Sequence, residues 1–355
     1  LPKDRAPYPG ERFYCPQQAE TLEDIASTKG ESFYRGPIAE RIALASRSDD
    51  GAMTEDDLAS HRADWIEPIS VEYRGYHLHE MPPNTQGIAA LIALGILRHF
   101  DLASHPADSA DSLHLQIEAM KLAFADVWRH VADPAAMEVT TAQMLDAGYL
   151  AERAKLIDMK RAQIPGPGIP NQGGTVYLTA ADEKGMMLSF IQSNYKGFGS
   201  GVVVPGTGIS LQNRGAGFVL RPGHPNQVGP RKRPFQTIIP GFLTRNGEPV
   251  MSFGVMGGNM QPQGHLQMVT RLVDYNQNPQ ACSDAPRWIV NTDSSISVEE
   301  AVPASVREEL ARRGHRIVSS EVTMFGFGGA QLIHRLDDGY CGASDHRKDG
   351  GAIGF

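Results

Sequence analysis

The chain has 355 residues, 41% of them hydrophobic and 21% charged, with a formal net charge of −8. That composition belongs to a folded globular protein of one large or two modest domains, and it excludes wholesale disorder. The acidic balance argues against a nucleic-acid binder, and no apolar run approaches the roughly 18 residues a membrane-spanning helix needs. The one basic cluster, Arg231-Lys232-Arg233, reads as a solvated turn or a structural ion pair. Cys15, Cys282 and Cys341 are far apart, with neither metal-ligand nor redox spacing. The chain starts at Leu1 and carries no signal-peptide pattern, so the compartment is unread.

The first half reads as mostly helical. Leu22, Ile25 and Ala26 mark a helix over 17–29 that stops at Gly30, and a second short helix follows over 36–45. Thr54 followed by Asp57 predicts a capping box. Residues 69–78 alternate as a bent strand or strand pair punctuated by Gly75. Met81 to Gly87 reads as a turn into an apolar helix from Ile88 to about Phe100. Ser109 then opens a long amphipathic helix, with Leu113, Ile117, Met120, Phe124 and Val127 on one face as core.

Residues 164–174 are rich in Pro and Gly and fit neither helix nor regular strand. Beyond them the character changes to strands. These are expected over 175–179, 187–193, 238–243, 250–253, 317–319 and 329–334. Asp182 to Gly185 is a hairpin turn, and two helices intervene over 263–275 and 304–313. The sum is an α+β chain with a helical first half and a sheet-rich second half.

Several chemistries find little support. His77 and His79 would project to one side of a strand, but no third ligand has matching spacing, and a metal is not expected. Gly197 to Gly201 lacks the Gly-Lys-Ser/Thr of a phosphate loop. No Gly-x-Ser-x-Gly frame surrounds Ser200. The junction from Gln172 through Gly174 to Thr175 is more informative. A Pro/Gly loop runs into a Thr that opens a strand, as a self-cleaving N-terminal nucleophile hydrolase requires. Glycine before the Thr lets the backbone adopt the strained geometry in which the hydroxyl meets the preceding carbonyl. Cleavage would free the Thr175 α-amine to act as base for its own hydroxyl.

In this setting the chain resembles the γ-glutamyltransferase (γ-glutamyltranspeptidase) family, including its acylase-like members. The marks run along nearly the whole length. They include Phe33-Tyr-Arg-Gly36, the stretch from Gly51 to Leu58, Tyr73-Arg-Gly-Tyr76, Met81-Pro-Pro83 and the stretch from Glu118 to Asp126. Later ones are Phe198-Gly-Ser-Gly201, the stretch from Gly229 to Pro234, Gly254-Val-Met-Gly-Gly258, Asp284-Ala-Pro-Arg287 and Gly342-Ala-Ser-Asp345.

The resemblance implies a four-layer αββα sandwich. Cleavage between Gly174 and Thr175 would give a large-subunit portion, 1–174, and a small subunit, 175–355, which together form a heterodimer. The matched region begins well inside the family's large subunit. Thr175 takes the position of the nucleophile and Ser193 that of a second hydroxyl bonded to it. Gly257 and Gly258 match the paired glycines of the oxyanion hole. No cofactor is implied.

The substrate positions depart from the family pattern. The family's Asn, Gln or Glu, and Asp for the donor ammonium align with Tyr195, Arg214 and Gly217. Its serine pair for the α-carboxylate aligns with Gln236 and Thr237. An ammonium site has thus lost its carboxylate and gained a cation, which suits an acyl chain ending in a free carboxylate, such as glutaryl.

The small-molecule substrate is therefore a γ-glutamyl amide or a related acyl amide, handed to water or an amine. Two alternatives stand beside the γ-glutamyl reading. One is an acylase for non-glutamyl (glutaryl- or β-lactam-type) amides. The other is a catalytically silent, ligand-binding paralogue.

Overall fold

The computed structural model describes residues 5–163, 174–318 and 326–355. The Pro/Gly stretch 164–173 lies outside them, while Gly174 already belongs to a strand. The chain divides into two compact units, Leu1–Ile66 with Phe198–Asn213 and Glu67–Gly197 with Arg214–Phe355. The second unit draws on both sides of the 174/175 junction. No helix of the described residues is long and apolar enough to cross a membrane.

The first unit holds helices α1 (Pro16–Ser27), α2 (Glu31–Arg35), α3 (Pro37–Ser48) and α4 (Glu55–Ser60). Pro37 opens α3 at a position where its missing N–H costs nothing. Ile38, Ile42 and Ala45 recur on one face of α3 and bury against Val204 from the returning segment. Thr21 Oγ1 donates to the Thr207 carbonyl at 2.8 Å and ties α1 to that segment. The expected capping box is present: Asp57 N–H donates to Thr54 Oγ1, and Thr54 N–H to Asp57 Oδ2.

The second unit is built on a six-stranded antiparallel sheet. Its strands are β1 (Ile69–Tyr73), β2 (Tyr76–Glu80), β5 (Gly241–Arg245), β6 (Glu248–Met256), β10 (Gly329–Arg335) and β11 (Tyr340–Ser344), in the order β1-β2-β5-β6-β10-β11. A separate hairpin, β3 (Gly174–Ala181) and β4 (Met187–Tyr195), lies against it. A small third sheet joins β7 (Trp288–Val290), β8 (Ile296–Val298) and β9 (Ile317–Val318).

Helices cover the other face of the large sheet. Helix α5 (Ile88–Leu97) is buried along its whole length, as a helix apolar on every face must be. It packs between β1 and α6 (Ala110–His130), whose N-terminus Ser109 caps through the Ser112 N–H. Helices α7 (Thr141–Met144) and α8 (Ala147–Ala154) follow, and α8 packs on α5. Helix α9 (Met260–Val273) lies on β6. Gly264 makes that approach possible, since a Cβ there would sit 2.6 Å from Val255 Cγ1. Helices α10 (Pro279–Asp284) and α11 (Ala304–Arg312) complete the unit.

The described residues therefore provide a helix–sheet–sheet stack. The outer face of the β3–β4 hairpin exposes Val176, Leu178, Leu188 and Phe190. Among the described residues of this unit no helix packs on this face.

Several strands differ from expectation in their bounds, and β7, β8 and β11 add to the expected set. The strand expected over 238–243 starts only at Gly241. Pro240 has no N–H to give a ladder, and the Ile239 N–H donates instead to Gln261 Oε1 at 3.1 Å. Strand β5 then runs on to Arg245 and turns through Asn246 and Gly247, both in the left-handed region, into β6. Strand β11 gives no clear alternation because Gly342 interrupts it, yet it pairs in register with β10.

Candidate active site

The β3–β4 hairpin sets Thr175 opposite Ser193. Side chains alternate along both strands, so Thr175, Tyr177 and Thr179 share the inner face with Ser189 and Ser193. Contacts with the large sheet confirm the facing. Thr179 Oγ1 is 2.5 Å from Ser252 Oγ, and Ser189 Oγ donates to the Gly241 carbonyl at 2.9 Å. Between the pairs Gly174–Tyr195 and Val176–Gln192, one residue of β3 faces two of β4, Ser193 and Asn194. This β-bulge sits at the junction itself.

Thr175 Oγ1 donates to Ser193 Oγ at 3.1 Å. The Tyr195 N–H donates to the same oxygen at 2.8 Å. That backbone bond fixes the Ser193 rotamer, and Ser193 in turn holds the Thr175 hydroxyl. Tyr195 itself has a φ of 77°, in the left-handed region that non-glycine residues avoid. Such strain is held by its surroundings, and at a bulge it re-aims the side chains beside it.

The glycine pair follows from the facing of β3 and β6. Thr179 meets Ser252, and the Tyr177 ring lies where a Gly254 side chain would be. Beyond Gly254 the chain leaves β6 at Met256 for Gly257 and Gly258. Both glycines have positive φ, 131° and 61°. A Cβ on Gly257 would lie 3.1 Å from Gly328 Cα and 3.2 Å from Met260 Cβ.

The Gly257 carbonyl accepts from Met260 N–H, and the Gly258 carbonyl from Gln261 N–H. A trans peptide points its N–H opposite to its C=O. These bonds into the first turn of α9 therefore orient the Gly258 and Asn259 N–H groups the other way. The N-terminus of α9 adds its partial positive charge to the same place.

Tyr195, Arg214 and Thr237, three of the positions expected on the substrate side, form one connected group. Arg214 Cζ lies 5.3 Å from the centre of the Tyr195 ring, and Arg214 Nη1 donates to Thr237 Oγ1 at 3.2 Å. Burial pushes the Arg214 guanidinium below the usual arginine range, and it pushes the Tyr195 phenol up. Gly217 has no room for a side chain, because a Cβ would sit 2.3 Å from the Phe235 carbonyl oxygen. Its own carbonyl accepts from Asn226 Nδ2 at 2.7 Å. A carboxylate at position 217 is therefore excluded by backbone.

Gln236 and Thr237 are held by a segment whose sequence reads only as a turn. Gln236 N–H donates to the Asn84 carbonyl, and Gln86 N–H to the Gln236 carbonyl. Asn84 Nδ2 donates to the Pro234 carbonyl at 2.6 Å. Gln86 is fully buried, and its Nε2 reaches both the Thr237 and the Gly258 carbonyls at 2.8 Å. The available signal was three polar residues, Asn84-Thr85-Gln86, placed directly before a wholly apolar helix.

Among the described residues one buried group, His114, Glu118 and His315, has ligand atoms within 4.8 Å of one another. A cation already sits there, since Lys121 Nζ is 2.5 Å from Glu118 Oε1. His114 Nδ1 also lies 2.8 Å from His315 Nε2. These contacts make the group a polar core. His79 Nε2 is spent on Thr244 Oγ1 at 2.9 Å, and its ring centre is 6.4 Å from that of His77.

Residues 1–355 match the Gamma-glutamyltranspeptidase family along their full length. The chain belongs to that family. It is 34% identical over 361 residues to the glutathione hydrolase-like proenzyme of Bacillus subtilis, covering 99% of this chain and 68% of that protein. It is 37% identical over 356 residues to the oxamate amidohydrolase proenzyme of Klebsiella pneumoniae, covering 99% and 67%.

The cephalosporin acylase from Bacillus halodurans superimposes with a TM-score of 0.92 at 48% identity, covering 99% of this chain and 64% of the acylase. The chain thus spans about two thirds of the length of these relatives. The expected α+β, N-terminal nucleophile hydrolase fold holds, and relatives of this gamma-glutamyltranspeptidase-family chain are proenzymes of hydrolases and acylases.

Proposed function

We propose that this gamma-glutamyltranspeptidase-family protein is a self-cleaving threonine amidohydrolase and acyltransferase. Its acyl donor ends in a free carboxylate without a neighbouring ammonium. The carrying observation is the Arg214 guanidinium, stacked on Tyr195 and bonded to Thr237, beside a Gly217 that leaves no space for an acidic side chain.

In maturation the Thr175 hydroxyl attacks the Gly174 carbonyl carbon. The peptide C–N bond breaks as the ester forms, and the α-amine of Thr175 takes the proton. Water then hydrolyses the ester, releasing the Gly174 carboxylate and the 1–174 portion. In turnover the free α-amine accepts the Thr175 hydroxyl proton as Oγ1 attacks the substrate amide carbon. An α-amine titrates near pH 8, so it serves as base under neutral conditions.

Ser193 orients the hydroxyl. The amides of Gly257 and Gly258 receive the oxyanion, aided by the α9 terminus. The amine hands its proton to the leaving nitrogen, and water or an amine releases the acyl group. The Arg214 guanidinium holds the distal carboxylate, with Thr237 fixing its geometry and Gln236 alongside.

A γ-glutamyl donor of the glutathione type is the second reading, and the family membership favours it. Hydrolysis of glutaryl and γ-glutamyl anilides, measured side by side, separates the two. Clear preference for γ-glutamyl overturns the first. Intact mass under denaturing conditions, for wild type and Thr175→Ala, tests the cleavage. Two fragments meeting at Gly174/Thr175 in wild type alone are expected.

A further inference from the structure

Gln86 joins two parts of the site that are far apart in sequence. Its Nε2 donates to the Thr237 carbonyl and to the Gly258 carbonyl, each at 2.8 Å. Both partners are pure acceptors, so the amide orientation is fixed by chemistry: only the NH2 end satisfies them. The side chain is fully buried, so water does not compete for these bonds.

One partner, Thr237, carries the hydroxyl that receives Arg214 Nη1. The other, Gly258, sits at positive φ in the loop between β6 and α9. A continuous path therefore runs from the Arg214 guanidinium through Thr237 and Gln86 to Gly258. The Gly258 carbonyl also accepts from the Gln261 N–H in α9, so the 258–259 peptide is held by two donors, one on α9 and one on Gln86. The bond from Gln86 adds to that hold and aims the Asn259 N–H, the neighbour of the proposed oxyanion amides of Gly257 and Gly258, away from Gln86.

We propose that Gln86 is a positioning residue that couples the acyl-carboxylate subsite to the oxyanion loop. Its role rests on the function proposed above. Gln86 touches no reacting atom. It sets where the loop amides point, and it transmits displacement of Thr237 by a bound acyl chain to the same loop.

The test compares Gln86→Met, which keeps length and loses both donors, with Gln267→Met. Gln267 is a buried glutamine of α9 that bonds the Gln263 and Trp288 carbonyls. It serves as a control of similar burial away from Gly258. Thermal midpoints, kcat and KM on a glutaryl anilide, and amide hydrogen exchange at 257–260 are measured on both. Losing two buried hydrogen bonds to the loop and its partner should lower kcat roughly 10- to 100-fold in Gln86→Met, with KM changed less than about threefold. Exchange at 257–260 should quicken. Gln267→Met should lose thermal stability and show neither effect.

Gln86→Glu supplies a second reading where Gln86→Met does not fold. Its protonated acid donates one bond, whereas its carboxylate repels both carbonyls. Its kcat relative to wild type should therefore fall as pH rises. Equal changes in Gln86→Met and Gln267→Met, or a Gln86→Met kcat within about twofold of wild type, overturn the proposal. So does a flat pH ratio for Gln86→Glu. If wild type turns over no acyl amide, the activity reading fails. The exchange comparison then decides the coupling alone: quicker exchange in Gln86→Met only sustains it, and equal exchange refutes it.

Discussion

Thr175 Oγ1 and Ser193 Oγ are joined at 3.1 Å across a bulge, and the Tyr195 N–H closes on the same Ser193 oxygen at 2.8 Å. One backbone donor thus orients the serine, and the serine orients the threonine. Ser193→Ala removes the partner while leaving the strand pairing intact. Loss of one such bond should slow both self-cleavage and turnover roughly 10- to 100-fold. Ser193→Thr keeps the oxygen and should retain most of the rate. Thr175→Ala should abolish cleavage altogether. Time-resolved intact mass and initial rates check all three. Full activity in Ser193→Ala would remove the serine from the site.

Arg214 presents the acyl-end preference for a separate test. Its guanidinium is fixed by the Tyr195 ring on one side and the Thr237 hydroxyl on the other. Arg214→Gln keeps some hydrogen bonding and loses the charge. For a glutaryl anilide, KM should rise roughly 10- to 100-fold, the range expected on losing a charge-assisted bond. For an uncharged acyl anilide of equal length, KM should stay within about threefold. Equal losses on both substrates would make Arg214 a structural residue. Arg214→Lys should fall between the two, because an ammonium does not reproduce the planar fork.

The sequence made α5 and α6 legible because burial and periodicity agree there, whereas the short α7, α8 and α10 were not read. The residues of α5 are apolar on every side, and α6 carries a capping serine and a core stripe. Thr175 stood out as a candidate because self-cleavage needs a glycine, a hydroxyl and a strand start in direct succession, and the structure does start a strand there. Gln86 was not, because its meaning lies in partners 151 and 172 residues away. A Pro-Pro-Asn run is locally a turn whatever it later touches. The exclusion at Gly217 was hidden for the same reason. Alignment reads it as a lost carboxylate, whereas the Phe235 carbonyl shows that no side chain fits.

Gly257 offers a test of the loop that is independent of side-chain chemistry. Its φ of 131° suits glycine alone, and a Cβ would press on Gly328 Cα at 3.1 Å. Gly257→Ala should force the peptide to turn and misplace the amides. A loss of one oxyanion donor typically costs about 100- to 1,000-fold in kcat, and a fall of that order is expected. KM should change little, since ground-state contacts are spared. A KM effect without a kcat effect would place the glycine outside the hole.

The buried His114–His315–Glu118–Lys121 group predicts how stability responds to acid. Burial, with Lys121, His114 and Arg313 nearby, pushes the His315 imidazole down to about 3. Burial also pushes the His114 imidazole down and the Glu118 carboxyl up. Unfolded, the His315 imidazole binds a proton near pH 6.5. Between those two values the unfolded chain holds the extra proton, so stability rises with pH. It is complete above about pH 6.5 and drains away as pH falls toward 3. The depressed His114 titration acts in the same direction. Glu118 works against both, because a raised carboxyl gains a proton in the folded state first.

The two histidines should dominate, giving a net loss on the order of a few kcal/mol by pH 4. His315→Gln keeps a polar side chain that does not titrate. In thermal melts from pH 7 to 4, its midpoint should fall less steeply than that of wild type. Parallel slopes for the two proteins would mean that other groups carry the acid response.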